Sequence, residues 1–316
     1  MKKIILLMLA IVSLVTVSGC KDSKKVDIYI SVYPIEYIVK QIVKEDLVVE
    51  SIYPRGAEVH DFEPTAKQIV SMSECKVLFY IGLGLEPFIT NGLNSTFKNL
   101  KTVELSNYLE LVELDGSHDH NHDASTKAEN KSNSDVYDQH VWLDPIAMIR
   151  MSEVVLDELV KIYPEKEEFF NANAIELIKE LEELNQEYSE VTSSEDIFSL
   201  TIMVDHDAYA YWTYRYGINR IKLRSDNESN EVGTQEFLEK VKQAKETNIK
   251  YILSTKNETK SALFSQYMKE IGASERSLHH LGTITIQELK EGNNYISIMR
   301  DNLEVLKEVL PRKEEK

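Results

Sequence analysis

Apolar positions along this chain recur at two periods, and segments of one period take turns with segments of the other. Val26, Ile28 and Ile30 fall at every second position, the pattern of an extended strand. The runs 47–53, 77–81, 101–105, 200–204, 221–223 and 251–253 read the same way, whereas 37–44, 64–73, 234–247 and 260–271 carry helical spacing between them. Strands taking turns with helices predict parallel sheets flanked by helices. The longest helical signal covers 164–191, where Phe170, Ala174, Leu177, Leu181, Leu184, Tyr188 and Val191 follow one another at steps of four and three. Pro164 suits a first turn, and Glu165, Glu167 and Glu168 complement the positive end of a helix. A helix of that length spans ~42 Å, enough to run along two lobes. The same stripe would serve half of a coiled-coil hairpin, but α/β material on both sides favours a connecting helix. The predicted fold is therefore α/β, with two lobes, each a mainly parallel sheet flanked by helices, at 20–163 and 192–316, joined by the helix at 164–191.

Two stretches fall outside this rhythm. Residues 1–19 have a basic start, an apolar run from Ile4 to Val17 and small residues before Cys20, the pattern of a secretory signal peptide. The run is shorter than the ~20 residues of a membrane-spanning helix, which argues against an uncleaved anchor. Val17-Ser18-Gly19-Cys20 resembles the lipobox of bacterial lipoproteins, which implies lipidation of Cys20 and a location outside the cytoplasm, anchored to the cell membrane. Cys75 is then the only other thiol, so no intrachain disulfide is expected, and it reads as a small packed side chain. The second stretch, 116–134, contains His118, His120 and His122 interleaved with Asp and Asn and has almost no apolar residues. It is expected to be a loop able to offer weak auxiliary metal donors, or simply a solvated insertion. The formal charge of −17 speaks against nucleic-acid partners.

Of eight histidines, five lie outside that loop: His60, His140, His206, His279 and His280. His206 directly follows the predicted strand at 200–204, and His60 follows the one at 47–53 after a short turn. The carboxyl ends of strands are where ligands collect in open α/β sheets. Zinc takes imidazole nitrogen and carboxylate oxygen, usually four donors in a tetrahedron. Spacing by itself decides nothing here. The histidines match no local motif such as HExxH, and each taken alone reads equally well as a hydrogen-bonded structural residue.

Longer segments carry more information. Val59-His60-Asp61-Phe62-Glu63-Pro64, Gly82-Leu83-Gly84-Leu85-Glu86-Pro87 and His140-Val141-Trp142-Leu143-Asp144-Pro145 resemble signature segments of the zinc/manganese solute-binding receptors of ABC importers. Asp205-His206-Asp207-Ala208-Tyr209, Tyr214-Arg215-Tyr216-Gly217 and the C-terminal segment at 294–300 fit as well. The resemblance implies two lobes joined by a rigid helix, with His60, His140 and His206 as ligands to a metal in the cleft between them. A histidine at 206, where manganese-type members tend to carry Glu, favours Zn²⁺ over Mn²⁺ as the transported ion. Gly282 stands where many relatives place an acidic fourth ligand, which leaves His279, Glu58 or water for that role. The implied protein is a monomeric receptor, not an enzyme, that hands its ion to an ABC permease with its ATPase subunit. In keeping with a separate ATPase, the chain has no G-x-x-x-x-G-K-[ST] phosphate loop. The alternatives are a manganese-specific receptor of the same family, a secreted zinc-dependent hydrolase using Asp205, Asp207 or Glu58 as base, and an adhesion protein with structural metal.

Overall fold

The computed structural model describes residues 25–114, 136–224 and 233–313. The leader at 1–19, Cys20 and the segment bearing His118, His120 and His122 lie outside the described residues. Strands β1 (Ile28–Ile30), β2 (Val49–Ser51), β3 (Val77–Tyr80) and β4 (Lys101–Glu104) form one parallel sheet in the order β2-β1-β3-β4. Strands β5 (Thr201–Val204), β6 (Asn219–Lys222), β7 (Tyr251–Thr255) and β8 (Ser274–Leu278) form a second in the order β6-β5-β7-β8. The two lobes thus repeat one topology. In each, the chain leaves the first strand for one neighbour and crosses back to the other side. That reversal opens a crevice at the carboxyl ends of the strands.

Helices cover both faces of the sheets, which is why β1, β3 and β5 are buried at every position. The alternation read at 26–30 is therefore not a half-exposed strand, because Tyr29 is packed on the opposite face to Ile28 and Ile30. Strand β8 gave no period-two signal. It is the edge strand of its sheet, and Ser274, Glu275, Arg276 and Ser277 are exposed or half-buried with only Leu278 fully inside. In the first lobe, α1 (Tyr33–Val43) starts four residues before the predicted stretch, with Pro34 in its first turn. Helix α2 (Ala66–Ser73) begins at a capping box between Thr65 and Gln68. Helices α3 (Pro87–Gly92) and α4 (Pro145–Ile162) complete the lobe.

The long connection is a single turn of 3₁₀ helix at Pro164–Lys166 followed by α5 (Glu167–Thr192). Phe170, Ala174, Leu177, Leu181, Leu184 and Tyr188 are buried as the stripe predicts, while Val191 is only half-buried and Thr192 is inside. The first half of α5 holds the first lobe, with Asn173 donating to the carbonyl of Ile42 at 2.8 Å. Its second half holds the other lobe, in which α6 (Ala210–Tyr216), α7 (Thr234–Glu246), α8 (Phe264–Ile271), α9 (Ile286–Lys290) and α10 (Tyr295–Val309) surround the second sheet. Tyr188 donates to the carbonyl of Met299 on α10 at 2.8 Å, and Glu187 pairs with Arg300. One apolar cluster runs from Ile28 through Trp142, the α5 stripe and Trp212 to Leu310, so the lobes share a continuous core. No helix among the described residues is long and apolar enough to cross a membrane.

Two outcomes follow from this packing. Leu181→Ala, at a fully buried position on the stripe, is expected to cost about 2–5 kcal/mol in urea unfolding of the metal-free protein. Glu86 is the second case. It is sealed in the first lobe, accepts N–H donors from Ile81 and Gly82 at 3.1 and 2.9 Å, and is pushed by burial up to about 7. The folded chain thus holds that proton more tightly than the unfolded chain, whose carboxyl titrates near 4.5. The contribution to stability is complete below about pH 4.5 and is lost as pH rises through about 7. Urea unfolding from pH 4 to 8 should show this loss in the parent protein, and Glu86→Gln should flatten it.

Candidate metal site

The crevice between the lobes opens into a cavity of about 450 Å³. Gly56, Ala57, Glu58 and His60 contribute from the first lobe, and His206, Asn257, Glu258, His279, His280 and Thr283 from the second. His60 and His206 line this cavity, and their rings converge with that of His140, which is buried beside it and is not among the lining residues. Ring centroids lie 5.4 Å apart for His60 and His140, 5.3 Å for His140 and His206, and 5.9 Å for His60 and His206. One nitrogen from each ring falls within 4.8 Å of the other two. Imidazole binds zinc at about 2.0–2.1 Å, so small ring movements bring three such nitrogens onto one ion.

Each histidine reaches this point for a local reason. His60 lies within the loop between β2 and α2, and its backbone N–H donates to Glu58 Oε1 at 3.2 Å. His206 follows β5, whose next residue, Asp205, is tied down by Leu253 and Ser261. His140 precedes a 3₁₀ turn (Val141–Leu143) held by the second lobe. Trp142 donates to the carbonyl of His280 at 2.6 Å, Tyr295 donates to the carbonyl of Trp142 at 2.7 Å, and Trp212 donates to that of Leu143 at 2.9 Å. Asp144 caps α4 through the Ile146 N–H and pairs through both carboxylate oxygens with Arg215. The resemblance between His140-Val141-Trp142-Leu143-Asp144-Pro145 and a receptor signature thus has a structural content: the segment is a brace between lobes.

Two carboxylates that the sequence reading did not single out stand behind the rings. Asp138 Oδ1 lies 2.8 Å from His140 Nδ1 and also accepts the His140 backbone N–H at 2.7 Å. Nε2 of His140 is left buried and without a partner. Burial raises the energy of a charged Asp138, but His140 outweighs it and holds the carboxyl below its usual range. Glu258 Oε2 lies 2.8 Å from His206 Nδ1. Burial disfavours charge on both partners, yet their attraction prevails, lowering Glu258 well below the carboxylate range and raising His206. His60 is reached by solvent at its surface, but desolvation and the rings of His140, His206 and His280 push its imidazole down to about 3. Asp138 was within sight of the sequence, two residues from His140. Glu258 had no local signal, because it meets His206 only through the fold.

His279, expected as a candidate fourth donor, does not join the cluster. Its Nδ1 accepts the Leu281 N–H at 2.9 Å, so in the neutral ring the proton belongs to Nε2. Nε2 in turn faces Glu288 Oε1 at 3.3 Å. A nitrogen carrying its proton has no lone pair for a metal. Glu58 stays on the cavity wall, outside the three-histidine group.

Two repeated α/β lobes closed on a shared core, with three imidazoles aimed at one point in the crevice, are the architecture of a two-lobed solute-binding protein. The chain belongs to the ZnuA family, zinc-uptake complex component A periplasmic, whose model matches residues 28–309. It is 32% identical over 335 residues to the zinc-binding protein AdcA of Streptococcus pyogenes serotype M3, a match covering 99% of this chain and 64% of that protein. It is 26% identical over 295 residues to the high-affinity zinc uptake system protein ZnuA of Bacillus subtilis, covering 92% of this chain and 90% of that one. The crystal structure of Zn(II)-bound AdcA from Streptococcus pneumoniae superposes with a TM-score of 0.73 at 26% identity, covering 92% of this chain and 61% of that one. The chain therefore spans less than two thirds of the length of the AdcA proteins it matches.

Asp138→Ala would leave the Nδ1 and backbone N–H of His140 without their acceptor in a buried setting. The expected cost is about 1–3 kcal/mol in the stability of the metal-free protein, read by urea unfolding.

Proposed function

We propose that this chain is an extracytoplasmic solute-binding receptor that captures Zn²⁺ with His60, His140 and His206 in the interlobe cleft and delivers it to an ABC permease. The observation that carries the reading is the convergence of one nitrogen from each of three rings, brought from three separate loops, within 4.8 Å. Membership of a family described as the periplasmic component of a zinc-uptake complex supports it, as do relatives named as zinc-binding proteins. Three neutral imidazoles suit zinc better than manganese, which favours carboxylate and water oxygens. His60 comes from one lobe and His206 from the other, so the bound ion links them, and reversible binding without a chemical step is the task. The relation to a named lipoprotein of Streptococcus pneumoniae supports a mature chain that starts at Cys20, carries acyl groups there and is held at the membrane face. In this reading, 1–19 is removed as a leader, and the lobes at 20–163 and 192–316 act together as a monomer across the helix at 164–191. His118, His120 and His122 act as auxiliary donors that the deep site does without. Energy for uptake comes from the permease's ATPase subunit.

Crystals grown with zinc and measured on both sides of the zinc edge should show one ion among the three rings. In solution, His140→Ala should weaken zinc binding, measured by competition with a chromophoric chelator, by more than the roughly 10–100-fold that loss of a supporting hydrogen bond costs. Zinc binding that is absent, or indifferent to His60, His140 and His206, overturns the proposal.

A further inference from the structure

We infer that His280 is a positioning residue for the metal site, steering the Glu258 carboxylate and through it the ring of His206 without touching the ion. The inference rests on the receptor reading of the three-histidine cluster. Glu258 stands between two imidazoles, with Oε2 at 2.8 Å from His206 Nδ1 and Oε1 at 2.9 Å from His280 Nε2. The second contact is bent, so Oε1 is drawn toward His280 without a well-formed hydrogen bond.

His280 is fixed from its far side. The Gly282 backbone N–H donates to its Nδ1 at 3.1 Å. A ring nitrogen accepting a hydrogen bond carries no proton, so in the neutral ring the proton sits on Nε2, facing Glu258. Nε2 of His280 thus turns its proton toward Glu258 and has no free lone pair for a metal. His280 lies outside the converging group although its ring is only 5.6 Å from that of His206, at 17° to it, and 6.4 Å from that of His140.

Room for this ring depends on Gly282. A Cβ there would stand 2.9 Å from His280 Cε1, 3.1 Å from Nδ1 and 3.3 Å from Val59 Cγ2. The position expected from the resemblance to hold an acidic ligand is thus the one that admits the His280 ring, and the acid of this lobe comes instead from Glu258, behind a ligand. A carboxylate on the remote nitrogen of an imidazole fixes its tautomer and raises its basicity toward the metal. Asp138 does the same for His140 from the other side. Two carboxylates placed one ring away thus balance the +2 charge that three neutral imidazoles leave on the ion.

The test is zinc affinity of the chain from residue 20 to residue 316 by chelator competition, with the visible spectrum of the Co²⁺-loaded protein as a second readout. His280→Leu and Glu258→Gln should each weaken zinc about 10–100-fold and shift the Co²⁺ bands in the same sense. The double variant should be no weaker than Glu258→Gln alone, because His280 works through Glu258. His280→Gln should recover most of the loss, since its amide also presents an N–H to Glu258. If His280→Leu does not fold, Gly282→Ala, which presses on the ring, carries the same comparison. Wild-type affinity in His280→Leu, or a loss that adds in full to that of Glu258→Gln, overturns the inference. Dependence of zinc binding on His140 but not on His280 removes this inference alone, whereas zinc binding indifferent to His140 removes the receptor reading beneath it.

Discussion

Trp142 is fully buried, and its indole N–H is committed to the carbonyl of His280 in the other lobe. Its own carbonyl receives the hydroxyl of Tyr295, and the carbonyl of Leu143 beside it receives the indole of Trp212. A buried backbone group left without such a partner costs about 1–3 kcal/mol, so the brace is maintained as a unit or lost as one. The three-histidine geometry depends on it. His140 reaches the cluster from the N-terminal end of this brace, His206 from the lobe it is clamped to, and His60 from the lobe it belongs to.

The same brace limits how the molecule can respond to an ion. A core continuous from the first sheet through the α5 stripe to α10 resists rotation of one lobe against the other, because rotation would open buried apolar contacts. The cavity wall is built differently. Residues 54–58 and 256–260 are mostly exposed or half-buried loop, with little apolar packing to hold them. Apart from Glu258, which is tied to His206, those loops can adjust more easily than His140, which the brace holds still.

Charge is arranged on the same plan. Asp138 and Glu258 sit one imidazole away from the point of convergence, each on the Nδ1 of a different ring. Placing them behind the rings leaves nitrogen at the point of convergence, a donor that suits a borderline ion such as zinc, while the counter-charge is still close in a medium of low dielectric constant. At Gly282, where the resemblance would place a carboxylate, the space a side chain would take is filled by the ring of His280.

Much of this was legible in the chain before any fold was drawn. The spacing of Phe170, Ala174, Leu177, Leu181, Leu184 and Tyr188 dictates a helix with one buried face, and apolar runs such as 77–81 and 200–204 dictate buried strands, because periodicity is a property of neighbouring residues and needs no partner. The segments around His60, His140 and His206 pointed to three donors, though nothing in their spacing could say that they meet. Strand β8 escaped notice because an edge strand with a polar face has no apolar alternation to read. The position of His279 apart from the three-histidine group, the pairing of Asp138 with His140 and of Glu258 with His206, and the lodging of His280 against Gly282 were decided only in three dimensions. Which nitrogen of an imidazole keeps its proton is set by the backbone N–H or carboxylate that packing delivers to it, and that delivery is made by residues far apart in the chain.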